Sequence, residues 1–146
     1  MVRLEKSLRV PFSAEEMFEL VDDVEAYPLF LPWCVNAELI EQGPDFKTAK
    51  MMIRKGQFSY SITTVNKKEK PQSITMEFVD GPFKIFRGAW HFRIIESGCN
   101  VKLELEYEAK NIILDLALNA VSSTVASVLM RAFEKRAYEI KKRTSS

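Results

Sequence analysis

Alternation of apolar and polar side chains opens the chain. Val2, Leu4, Leu8 and Val10 share one parity and Arg3, Glu5, Ser7 and Arg9 the other, a two-residue period that predicts a strand over 2–10. Lys6 interrupts the apolar side, where its long stem can snorkel to the sheet edge. Pro11 ends the strand. Ser13 with Glu16 has capping-box spacing, and Phe12 with Met17 can form a staple, so a helix is predicted over 14–22. Asp22 or Asp23 can cap a second short helix at 24–27, which Pro28 stops. Short strands are predicted next, over 35–42, 47–55, 58–67, 73–79, 84–95 and 99–110. Gly43-Pro44-Asp45, Lys55-Gly56, Pro71, Gly81-Pro82 and Ser97-Gly98 separate them, and separators this short favour an antiparallel meander.

The last of these strands alternates most cleanly, with Val101, Leu103, Leu105, Tyr107 and Ala109 against Lys102, Glu104, Glu106, Glu108 and Lys110. One face is buried and the other wet. From 112 to 142 there is neither proline nor glycine, and apolar residues recur at helical spacing, which predicts one amphipathic helix of about 45 Å. The resulting fold class is α+β: a curved seven-stranded antiparallel sheet wrapped around a long C-terminal helix, with two short helices after the first strand. A twisted sheet around a straight helix leaves space for a ligand cavity between them.

Parity names the lining of that cavity. Met51 and Ile53 share a face, as do Phe58, Tyr60 and Ile62, then Ile74, Met76 and Phe78, then Phe86, Trp90, Phe92 and Ile94. Tyr107 of the last strand and Leu114, Leu118, Val121 and Val125 of the helix face them. Taken singly, each is an ordinary core residue. Collectively, ten Phe, four Tyr, two Trp and six Met are generous for 146 residues, and methionine suits an adaptable binding surface. The segment Tyr27-Pro28-Leu29-Phe30-Leu31-Pro32-Trp33-Cys34 holds apolar residues between prolines and suits neither helix nor interior strand, so it reads as an apolar loop that packs on something.

Composition narrows the function. The length fits a single domain over 1–146, and 47% hydrophobic with 28% charged residues excludes a disordered chain. A formal charge of +1, from 21 bases against 20 acids, excludes wholesale coating of a polyanion such as DNA. Cys34 and Cys99 form no disulfide framework and suit a reducing compartment. The opening MVRLEKSLRV has no apolar signal core, and no uncharged apolar run reaches the roughly 18 residues of a membrane span. The expected location is the cytoplasm. Catalytic and metal signals are missing: the one histidine, His91, falls on the outer parity, the strand carboxylates lie on the wet face, and no zinc set is present. Neither a catalytic residue nor a cofactor is expected. Cys34 reads as a buried thiol, and Tyr60 and Tyr107 can offer a hydroxyl to a ligand.

Charge is distributed unevenly. Residues 11–35 carry Glu15, Glu16, Glu19, Asp22, Asp23 and Glu25 and no base. Lys67, Lys68 and Lys70 form a basic loop, and Arg131, Lys135, Arg136, Lys141 and Lys142 a basic helix end. Acids at helix starts and bases at a helix end suit the helix dipole, and the same bases suit an anionic partner, RNA or lipid.

Two segments, VPFSAEEMFELVDDVEAYPLFLPWC (10–34) and VDGPFKIFRGAWHF (79–92), resemble the coenzyme Q-binding START-domain family, whose bacterial members include ribosome-association toxins. The resemblance runs over essentially the whole chain and implies a helix-grip, START-like fold. It implies two activities: binding of a polyprenyl quinone such as ubiquinone in the cavity, supporting respiration, and binding of the large ribosomal subunit, blocking subunit joining. It also implies a bacterial protein that is peripheral at the inner membrane when it exchanges ligand. The matching positions are Tyr27, Pro28, Phe30, Pro32, Trp33 and Cys34, then Asp80, Gly81, Pro82, Phe83, Lys84, Gly88, Trp90 and Phe92. Phe30, Trp33 and Phe83 join the expected lining or mouth on this ground. Gly81-Pro82 is expected to fix a turn and Gly88 to mark a bend. Cyclisation of an aromatic polyketide, a third reading, rests on fold analogy and needs inward polar groups that the pattern lacks.

Overall fold

In the computed structural model, which describes residues 1–144, the expected elements follow in the expected order. Strand β1 (Val2–Val10) leads into helix α1 (Ala14–Asp22) and a 3-10 helix (Val24–Leu29). Six strands follow: β2 (Cys34–Gln42), β3 (Phe46–Lys55), β4 (Phe58–Glu69), β5 (Ser73–Asp80), β6 (Phe83–Ile95) and β7 (Gly98–Ala109). Helix α2 (Ile112–Thr144) ends the described chain. All strands pair antiparallel in one sheet of order β1-β7-β6-β5-β4-β3-β2. Only β1 departs from a simple meander, crossing to the far edge beside β7.

Local chemistry fixes the helix starts. Ser13 Oγ accepts from the Glu16 amide at 3.0 Å, and Glu16 Oε1 accepts from the Ser13 amide at 3.2 Å, a complete capping box. At α2, Asn111 Oδ1 accepts from the amides of Ile113 and Leu114, and Asp115 Oδ1 accepts from the Ala109 amide at 3.1 Å. The Asn111 bonds cap the helix start, and the Asp115 bond ties it to the end of β7.

The core lies on one face of the sheet in two clusters. One gathers α1, the 3-10 helix and the second half of α2 around Phe18, Tyr27, Trp90, Phe92, Leu103, Met130 and Phe133. The other sits at the start of α2, around Val2, Ile62, Phe83, Tyr107, Ala109 and Leu114. The opposite face is wet and ion-paired: Arg87 Nη2 meets Glu106 Oε1 at 2.9 Å and His91 Nε2 meets Glu104 Oε1 at 3.0 Å. Helix α2 is, by length and composition, apolar enough to cross a membrane, because Asp115 and Arg131 bracket a charge-free stretch at 116–130. In this fold its apolar stripe faces the sheet, while Ile112, Ile113 and Leu116 of its first turns are exposed.

Two local expectations change. Ile94 shares the inward parity yet is 73% exposed: β5 begins at Ser73 opposite His91, so Ile94 lies beyond the end of the neighbouring strand. Gly88 marks no break in register, since it pairs in sequence with both Met76 and Leu105. Its role is space, because a Cβ there would stand 2.4 Å from Met76 Cε and 2.8 Å from Leu105 Cδ2. The irregularities fall elsewhere: between Thr63 and Thr64 and between Phe83 and Ile85, flanking the Gly81-Pro82 turn, and at two places in β2, between Cys34 and Asn36 and between Leu39 and Glu41.

Gly98 is the tightest glycine. Its φ is +152°, and a Cβ would lie 2.0 Å from the Val10 carbonyl oxygen, where β7 passes the end of β1. Gly98→Ala is therefore expected to lower unfolding stability by about 1–3 kcal/mol from backbone strain alone, measured by urea denaturation. Gly56→Ala, whose φ of +59° is matched by open space, is expected to cost less.

Candidate functional site

Between the sheet and α2 lies an apolar cavity of about 550 Å³, within the usual range for ligand sites. Strand alternation supplies one wall: Met51 and Ile53 from β3, Phe58, Tyr60 and Ile62 from β4, Met76 from β5, Phe83, Phe86 and Trp90 from β6, and Leu103, Leu105 and Tyr107 from β7. Helix α2 supplies the other as a single stripe, Leu114, Leu118, Val121, Val125, Leu129 and Phe133, with Ala117 beside it. Nineteen residues of helix separate Leu114 from Phe133, so the lined length is about 28 Å at 1.5 Å per residue. The site is long and narrow rather than round.

The segment Tyr27–Cys34 closes the end nearest Phe133, and it is not all loop as expected: the 3-10 helix runs through Pro28, whose fixed φ suits a helical turn, and ends at Leu29. Tyr27 donates a short hydrogen bond to the Val21 carbonyl, and its own carbonyl accepts from the Phe30 and Leu31 amides at 3.1 and 2.8 Å. Trp33 adopts φ 70°, with its carbonyl accepting from the Arg54 amide at 2.8 Å. This fold of the loop turns Tyr27, Leu31, Pro32 and Trp33 toward the cavity. The β3–β4 hairpin tip, Lys55-Gly56-Gln57, forms part of the lining, and Lys55 Nζ lies 4.7 Å from the Trp33 ring centroid.

Five of the expected lining residues lie outside: Ile94 is beyond the end of β5, Ile74 is packed in the core opposite Trp90, Phe78 lies against Phe83 and Phe86, and Phe30 and Phe92 are covered by other elements. Phe30 stands edge-on to Tyr27 and Phe133, at 6.0 and 5.3 Å between centroids, and backs residues that do line the cavity. Phe92 has the right parity, but α1 covers that end of the sheet, so it packs edge-on to Phe18 at 5.8 Å and stacks on Trp90. Among residues not named for the lining, Leu129 and Phe133 continue the helix stripe in steps of four, and Leu103 and Leu105, which parity places on the buried face, stand in line with Tyr107. Both signals are present in the sequence.

The expected basic contacts divide. Lys68 Nζ and Lys47 Nζ converge on Asp22 Oδ2 at 3.2 and 3.3 Å, all three side chains largely buried, pinning the end of α1 to β3 and β4. Lys67 pairs with Glu77 at 2.9 Å, Lys70 with Glu19, and Lys141 with Glu16 at 3.6 Å. Arg136 lies over the Phe30 ring at 5.4 Å and reaches Glu139 at 3.6 Å. Much of the basic surface is thus neutralised by the acidic segment it packs against. Arg131, Lys135 and Lys142 are exposed on α2.

The chemistry of the lining is sparse. Among the described residues it contains Tyr27, Tyr60, Tyr107, Lys55 and Gln57 as polar side chains, and no His, Asp or Glu. Burial pushes the Cys34 thiol up, disfavouring a nucleophilic thiolate. Burial alone raises the Tyr107 phenol to about 12. Burial first, and then the charges of Asp22, Cys34 and Asp23, raises Tyr27 further. Both remain neutral hydroxyls at physiological pH.

Residues 10–134 match the model of the family described as polyketide cyclase / dehydrase and lipid transport. The chain belongs to that family. Among its relatives, the ribosome association toxin RatA of Escherichia coli is 37% identical over 141 residues, covering 96% of this chain and 89% of that protein. A START superfamily protein from Mycobacterium smegmatis superposes with a TM-score of 0.82 at 17% identity, covering 96% of this chain and 99% of that one. An 18 kDa protein from Caulobacter crescentus superposes with a TM-score of 0.79 at 27% identity, covering 97% and 99%. The family's helix-grip architecture is the one seen here, a curved antiparallel sheet held against a long C-terminal helix.

The raised phenols set an alkaline limit on stability. An unfolded tyrosine ionises near pH 10, below the folded values, so the unfolded state releases protons first and stability falls as pH rises. Urea titrations are expected to show a first decline from about pH 8.5, where the unfolded Cys34 and Cys99 thiols ionise ahead of the buried ones, and a second through pH 10–12 from the phenols. Combined Tyr27→Phe and Tyr107→Phe changes are expected to flatten the second decline.

Proposed function

We propose that this protein is a non-enzymatic binder of an apolar ligand, a polyprenyl quinone such as ubiquinone, held in the sheet–helix cavity and carried in support of respiration. The observation that carries this reading is the cavity itself: about 550 Å³, extended along α2 and lined almost wholly by hydrocarbon and aromatic rings. An elongated apolar site suits a linear, flexible tail better than a compact polycyclic substrate. The lining offers no carboxylate or imidazole for proton transfer, which favours binding over cyclisation. Exchange of such a ligand takes place at a bilayer, where the exposed Ile112, Ile113 and Leu116 can enter the interface. The setting we propose is the bacterial cytoplasm and the inner surface of its membrane.

Organic extraction of the purified protein followed by mass spectrometry tests the reading; a stoichiometric prenyl lipid is expected, and an extract with none from protein loaded with quinone vesicles would sink it. Leu118→Trp, placed mid-stripe, is expected to expel the ligand while the chain still unfolds cooperatively. Excluding three methylenes forfeits about 2.4 kcal/mol at about 0.8 kcal/mol each, roughly a 50-fold loss of affinity.

A second reading is favoured by the name of the Escherichia coli relative, a ribosome association toxin: we propose association with the ribosome, at its large subunit. Since Lys67, Lys68 and Lys70 are engaged by acids of this chain, we assign the contact to the exposed face of α2 that carries Arg131 and Lys135. Co-sedimentation with purified large subunits is expected, weakening as salt is raised and on Arg131→Glu with Lys135→Glu. Sedimentation unchanged by that charge reversal would remove this assignment.

A further inference from the structure

Tyr107 Oη is fully buried, and the described structure gives it no hydrogen-bond partner. Buried phenols ordinarily find one, so an orphaned hydroxyl calls for an explanation. Its surroundings are apolar: Val2 and Phe86 sit opposite it in the neighbouring strands, the Phe83 ring is 6.2 Å away, and Ile62 and Leu114 complete the cluster. Tyr107 also lines the cavity, near the end where α2 begins. Lys55, the one charged residue in the lining, lies instead with Trp33 at the hairpin tip.

We infer that Tyr107 is the polar anchor of the cavity: a turn of its ring brings the now covered hydroxyl to the cavity, where it donates a hydrogen bond to an uncharged acceptor oxygen, a carbonyl or ether, on a ligand whose apolar tail runs along α2 toward Phe133. This rests on the ligand-binding reading above and sharpens it, because it selects neutral oxygenated lipids over plain hydrocarbons and over carboxylates. A carboxylate at this end would meet no cation, and a hydrocarbon would leave the hydroxyl orphaned. Burial keeps the phenol protonated at neutral pH, hence a donor.

The test uses the full chain and three probes of equal length: a long-chain alkane, the corresponding methyl ketone and the corresponding fatty acid. Trp33 and Trp90 line the cavity, so their fluorescence reports binding. The ketone is expected to bind roughly 3–10-fold tighter than the alkane, the worth of one net hydrogen bond, and tighter than the acid. Tyr107→Phe is expected to erase the preference for the ketone while the alkane still binds, at least as tightly as to the unaltered protein, which also reports an intact cavity. A carbonyl-labelled ketone on the unaltered protein is expected to show its infrared stretch shifted to lower frequency than in hydrocarbon solvent, whether or not the variant folds. Alkane binding with no ketone preference, an unshifted stretch, or a preference that survives Tyr107→Phe overturns the anchor and leaves the cavity reading standing. Binding of none of the probes overturns both.

Discussion

A straight helix can lie close to a twisted sheet over only part of its length, and this mismatch governs the molecule. Helix α2 is the one element large enough to cover the dry face of seven strands, and it is seated at two places. At its start, Leu114 packs with Phe83 and Tyr107, the Asn111 side chain caps the helix, and the Asp115 side chain ties it to β7. Toward its end, Met130 and Phe133 pack among Tyr27, Phe30 and Trp90, with Phe133 edge-on to all three rings. Between these contacts the chords of helix and sheet separate, and the half-buried Leu118, Val121 and Val125 face the gap. The cavity is the geometric remainder of two good contacts.

The apolar loop at 27–34 and helix α1 make the second contact strong. Asp22 takes Lys47 from β3 and Lys68 from β4 at once, all largely screened from water, so α1 is held to the sheet where desolvation raises the cost of losing either partner. The 3-10 helix then delivers Tyr27 to Phe133. Gly88 contributes from the sheet side by leaving Met76 and Leu105 room to lie against one another, which keeps the floor of the cavity closed without filling it.

Faces were legible in the sequence; their coverings were not. The two-residue period places Val101, Leu103, Leu105, Tyr107 and Ala109 inward, and all five are buried or half-buried. The same logic sends Phe92 into the cavity, whereas α1 lies over it, because periodicity says which side of a strand is dry and not which element dries it. Ile94 fails for a related reason, since whether a neighbouring strand extends far enough is a property of pairing. The basic loop misleads similarly: Lys67, Lys68 and Lys70 read as a patch along the chain, but their counter-charges are brought by two other elements, Glu77 by β5 and Asp22 and Glu19 by α1.

The two readings of function share α2, and the packing indicates how far they are mechanically linked. A ligand entering the gap presses on residues that are already loosely held, Leu118 to Val125, where the helix has few close partners to lose. Arg131 and Lys135 flank Phe133, the position gripped by Tyr27, Phe30 and Trp90. Displacing that end means breaking three edge-on aromatic contacts, each worth about 0.5–1.5 kcal/mol beyond area burial. On the proposed readings, a ligand therefore displaces the stretch from Leu118 to Val125 before the gripped end at Phe133. The apolar stripe and the bases Arg131 and Lys135 coexist on one helix because they occupy different faces of it, the stripe toward the sheet and the bases toward solvent.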